Sequence, residues 1–146
     1  MSEQPKIMAK VIEWNDLKVG MTASIPFVIS QADMDVFRNL SGDRSRIHHD
    51  AAFARDNGFE QPVVYGALTV ARLSHLVGMH LPGDLGLATS WKIDFNNPLY
   101  VDEQAVMDAE ITHVSESTHT VKLRFRVSVG DKLIASGTAG SKLLDQ

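Results

Sequence analysis

The chain has no cysteine, which removes disulfide staples, thiolate metal sites and cysteine nucleophiles together. It also lacks a long apolar run. Nothing approaches the roughly 18 apolar residues a membrane-spanning helix needs, so the chain reads as soluble and without a membrane partner. The net charge is -4, and Lys and Arg are scattered with no basic patch, which argues against nucleic acid as a partner. Met1 to Lys10 hold only Ile7 and Met8 as larger apolar side chains, neither a secretory signal nor an amphipathic transit sequence. A flexible segment over residues 1–10 and a cytoplasmic location are expected. No repeat and no low-complexity linker divides the 146 residues, a length at which one domain buries about two thirds of its unfolded surface. One domain over 1–146, held by packing alone, is expected.

What is present falls into helical periods early and alternating periods late. Ser30 and Asp33 form a capping-box pattern, after which Met34, Phe37 and Leu40 share a helical face, predicting a helix over 31–40. Ser41-Gly42-Asp43 ends it, since Gly suits the left-handed closing position. Asp50 can cap a second short helix through Ala51 to Arg55, closed by Asn57-Gly58. A third helix, about 66–81, carries Val70, Leu73, Val77 and Leu81 on one stripe and Leu68, Ala71 and Met79 on another. Apolar on most sides, it is expected inside a sheet that wraps around it. From there the period becomes two: Trp91, Ile93 and Phe95; Ala105 to Ile111; Val121 to Val129; and a last strand over 133–143, rich in Gly, Ala, Ser and Thr. Those small side chains admit either a closely approaching layer or a weakly specified edge. The order is α+β.

Asp43 and His48 sit in one loop, close enough to converge on a small molecule. Adding water to an α,β-unsaturated thioester takes a base to remove a proton from water and an acid to deliver one to the α-carbon, tasks an imidazole and a carboxylate can share near pH 7. A pair of turn-forming residues would read the same way. Gly66 opens the apolar helix, where an unpaired backbone N–H and the positive end of the helix dipole suit a developing oxyanion. Relief of crowding at a strand-to-helix turn also explains a glycine there.

Phe37-Arg38-Asn39-Leu40-Ser41-Gly42-Asp43, Ile47-His48-His49-Asp50, Phe59 and Val63-Val64-Tyr65-Gly66 resemble the hydratase motif of the MaoC-like, (R)-specific enoyl-CoA hydratases. Ile93-Asp94-Phe95-Asn96-Asn97-Pro98-Leu99-Tyr100 resembles the segment that follows the central helix in that family. The resemblance implies a hot-dog fold, an antiparallel sheet wrapped around the helix at about 66–81, in a homodimer or a higher oligomer. It implies that Asp43 and His48 hold and activate water and that the Gly66 N–H polarises the thioester carbonyl. Leu73, Ser74 and Val77 would lie near the acyl chain. The substrate would be a thioester of coenzyme A or of an acyl carrier protein, with coenzyme A as part of the substrate and no separate cofactor or metal.

Two positions depart from the family pattern. Ser45-Arg46 stands where Asn-Pro is common, and Tyr65 where His is common. Arg46 could lower the Asp43 pKa, pair with a substrate anion or point into solvent. As substrate contacts, Arg46 and Tyr65 would tune the site toward a short or polar acyl group. Two other functions stay open: a non-catalytic acyl-thioester-binding module, and a hot-dog thioesterase.

Overall fold

A computed structural model describes residues 6–146; residues 1–5 of the expected N-terminal segment lie outside the described residues. Among the described residues, five antiparallel strands form one sheet in the order β1-β3-β4-β5-β2. They are β1 (Thr22–Phe27), β2 (Gly86–Phe95), β3 (Ala105–Ser115), β4 (Thr120–Val129) and β5 (Lys132–Leu143). Three helices, α1 (Gln31–Ser41), α2 (Ala51–Asp56) and α3 (Gly66–Met79), fall between β1 and β2.

The expected alternation holds in β3 and β4. Ala105, Met107, Ala109 and Ile111, then Val121, Leu123, Phe125 and Val127, are all buried. This face packs on Leu73, Leu76 and Val77 of α3, and one apolar cluster joins sheet and helix. The last strand is not an edge: β5 lies between β4 and β2. Its small residues serve close approach, because a side chain at Gly137 would run into the backbone carbonyl of Lys92.

Three features differ from expectation. β1 has no counterpart in the sequence reading, because Pro26 interrupts its apolar run; an edge strand tolerates proline, and β1 pairs only with β3. β2 is not half-buried: Trp91 is 38% and Phe95 56% exposed, since β2 ends the sheet opposite β1. The helix α3 is covered on one side only, with Ala67, Ala71, Ser74 and His75 exposed. It stops at Met79 and not at Leu81, because outside donors take its last carbonyls: Lys10 N–H reaches Met79 O at 2.9 Å and Gly83 N–H reaches Val77 O at 2.9 Å.

Among the described residues, no helix is long and apolar enough to cross a membrane.

Candidate active site

The helix α1 delivers the loop that carries Asp43. Its start is fixed by reciprocal bonds, Ser30 Oγ accepting from Asp33 N–H and the Asp33 carboxylate from Ser30 N–H. Its end is fixed by Gly42, left-handed at φ 75°, whose N–H donates to Arg38 O. Asp43 follows at once. Its Oδ1 accepts from the Ser45 N–H at 2.9 Å and from the Ser45 hydroxyl, an arrangement that closes the turn. Those two bonds, the hydroxyl first, hold the Asp43 carboxyl below its ordinary pKa, and the neighbouring His48 adds to the effect. The side chain is exposed and therefore a carboxylate at neutral pH. Oδ2 accepts no hydrogen bond among the described residues.

A 3-10 turn, Arg46–His48, then brings the imidazole inward. His48 Nδ1 lies 2.7 Å from the carbonyl of Val63, while Val63 N–H donates back to Ile47 O at 3.0 Å. A carbonyl can only accept, so Nδ1 carries the proton and, in the neutral ring, Nε2 keeps its lone pair. His49 turns elsewhere, its Nε2 bonding Arg44 O at 2.9 Å.

Gly66 is the first residue of α3, and no side chain caps this helix. Its N–H finds no acceptor among the described residues, at the end of the helix where the dipole is positive. A Cβ here would come within 2.7 Å of the Phe95 ring, so the glycine also answers to crowding. Both readings of Gly66 apply at once.

His48 and Gly66 line one cavity of about 360 Å³. Ile47, Phe59, Val63, Val64, Leu99 and Ile134 make most of its wall apolar, with Phe95, Asn96, Asn97 and Pro98 at the end of β2 and Thr69 on α3. Asp43 is not part of that lining and makes no direct hydrogen bond to His48.

The residues expected as substrate contacts lie elsewhere. Leu73 and Val77 are core residues one and two turns beyond Thr69, and Ser74 faces solvent on the uncovered side of α3. The helical residue that reaches the cavity is Thr69, one turn after Gly66. Arg46 is paired with Asp50 at 3.4 Å and lies over the Phe53 ring at 4.2 Å, and it does not line the cavity. Tyr65 is only 3% exposed and does not line the cavity. Its hydroxyl donates to Asp43 O at 2.7 Å, and its ring stacks on His48 at 4.1 Å and against Phe37 at 4.8 Å. Burial, and then the Asp43 charge, push the Tyr65 pKa up, so the phenol stays a donor.

Thr69 and Ile134 are not singled out by the sequence, and Ser45 stands out there only as a departure from the family pattern, without its role toward Asp43. Ser45 carried a local signal, a hydroxyl two residues after an Asp. Thr69 and Ile134 carried none, since both read as ordinary helix and strand positions.

An antiparallel sheet packed on one helix is the layout of a hot-dog protein, and here an imidazole and a free helix-start N–H share its apolar cavity. The model of the MaoC like domain matches residues 15–132, and the chain belongs to that family. It is 31% identical over 128 residues to an (R)-specific enoyl-CoA hydratase of Aeromonas caviae, covering 87% of this chain and 96% of that one. It is 28% identical over 130 residues to a 3-hydroxybutyryl-CoA dehydratase of Methylorubrum extorquens, covering 89% and 83%. The solved structure of an (R)-hydratase from A. caviae involved in PHA biosynthesis superposes with a TM-score of 0.81 at 31% identity, covering 87% of this chain and 97% of that one. Hydratase and dehydratase name one reaction in its two directions, so these relatives are hydro-lyases, and this chain is an enzyme of that class.

Proposed function

We propose that the chain is an (R)-specific enoyl-CoA hydratase, equally a 3-hydroxyacyl-thioester dehydratase, acting on a thioester of coenzyme A or of an acyl carrier protein. The observation that carries the reading is the shared cavity: His48, with Nδ1 committed to Val63 and Nε2 free, lines the same apolar space as the unpaired N–H of Gly66. In the hydration direction a water gives a proton to Nε2 while its oxygen bonds to C3. The electron pair of the double bond moves to the thioester oxygen, where the Gly66 N–H stabilises it. The imidazolium proton then goes to C2, restoring the carbonyl and the neutral ring. Asp43, a carboxylate with Oδ2 open, orients the water and favours the imidazolium. The reaction balances with water and thioester alone, and coenzyme A enters only as part of the substrate.

One observation favours a second reading, a non-catalytic acyl-thioester-binding module: Asp43 stands outside the cavity lining. Loss of absorbance of a short 2-enoyl-CoA, followed for wild type, His48→Ala and Asp43→Asn, separates the two. Catalysis requires wild-type turnover that falls about 10²- to 10⁴-fold in His48→Ala. Binding of the thioester without turnover by wild type establishes the module instead. Release of free thiol in place of hydration establishes a thioesterase.

The same reading takes the working unit as a homodimer. The end strand β2, with Leu87, Trp91 and Phe95 exposed, is the surface that supports it.

A further inference from the structure

The groups of the site are unequally tied to the rest of the protein. The hydrogen bonds of Asp43 to Ser41, the last residue of α1, and to Ser45 each span only two positions along the chain. Among the described residues, its one longer-range hydrogen bond comes from Tyr65, 22 positions along the chain. His48 is held to Val63 through a single ring nitrogen, which fixes a point of the imidazole and leaves its plane free. The stacked face of Tyr65, 29° from parallel, fixes that plane. Tyr65 is itself held by Phe37 packing, by burial and by position: its backbone is the N-cap of α3, directly before Gly66.

We propose that Tyr65 is a positioning residue that holds the Asp43 loop, the plane of the His48 ring and the Gly66 N–H in one register, its hydroxyl setting the first and its ring the second. The proposal rests on the hydro-lyase reading of the site and goes beyond it, because it gives a role in turnover to a buried side chain that does not line the cavity. It also replaces the expectation of a substrate contact at this position. Proton transfer and carbonyl polarisation depend steeply on placement, and an error of about 1 Å can cost about 10²-fold in rate.

Tyr65→Phe keeps the ring and deletes only the bond to Asp43 O. Its kcat for a short 2-enoyl-CoA should fall about fivefold or more, the worth of one hydrogen bond of about 1 kcal/mol, with KM little changed. Amide hydrogen exchange over residues 43–48 should quicken while the sheet amides keep their protection. Tyr65→Leu, which also loses the stack, should lower kcat further and shift the His48 ring-proton resonances. Wild-type kcat and exchange in Tyr65→Phe would overturn the proposal. A rise in KM alone would also overturn it, since that marks a substrate contact. If wild type hydrates no enoyl thioester, the reading of the site falls, and the exchange comparison alone then decides whether Tyr65 clamps the loop.

Discussion

At Asp43 the two readings open in the sequence, turn former and reactive carboxylate, turn out to be one arrangement. Ser45 closes the turn by donating to the carboxylate, and the same bonds keep it ionised. The sign of a Ser45→Ala effect follows. Losing the hydroxyl removes the largest cause that lowers the Asp43 pKa, so the pKa rises toward its ordinary value. The acid limb of the pH-activity profile should move to higher pH, with activity on the alkaline side little changed; an unmoved limb would detach Asp43 from turnover. The serine stands where the family commonly has Asn, and it supplies its own donor to the same loop. As for what could be read in advance, Asp43, His48 and Gly66 were visible as types at characteristic spacings. The roles of Tyr65 and Arg46 were not, because direction decides them: one turns onto Asp43 and His48, the other onto Asp50 and Phe53.

The helices were read from sequence to within a residue or two wherever caps are local, as with Ser30 and Asp33, Gly42 and Asp50. The end of α3 falls at Met79, two residues before the expected Leu81, where Lys10 and Gly83 take its last carbonyls from far along the chain or from beyond a loop. β1 was hidden by Pro26, whose tolerance depends on an edge position that only the assembled sheet defines. The start of α3 offers a test of the element. In Gly66→Ala the new methyl meets the far end of the half-exposed Phe95 ring, which can swing away at small cost to folding. The thermal midpoint should stay near wild type while turnover drops, because the displaced ring and the methyl crowd the N–H that faces the cavity. Adding Phe95→Ala should restore part of the activity. Restoration of none would show that the methyl itself, and not the ring, blocks the carbonyl.

For the whole molecule, composition and period were enough to give α+β, one apolar core and a sheet against the third helix, and the resemblance identified that arrangement as a hot-dog fold. What they could not give is which surface remains uncovered when a single chain has folded. That surface is β2 and the outer side of α3. Light scattering should therefore find twice the 16.1 kDa chain mass or a multiple of it, and Trp91→Glu should shift the population toward monomer. A wild type that runs as a monomer at all concentrations would remove the dimer from the proposal.

The proline in β1 bears on how far such assembly can go. Proline is accepted in an edge strand where its missing N–H faces outward, so the six-residue edge at β1 is a poor template for another strand. The sheet thus has one refractory end, at β1, and at the other an end strand with exposed Leu87, Trp91 and Phe95. In the proposed dimer, two copies joined through β2 would use up that edge in each other, and the sheet would end there instead of running on into a fibre.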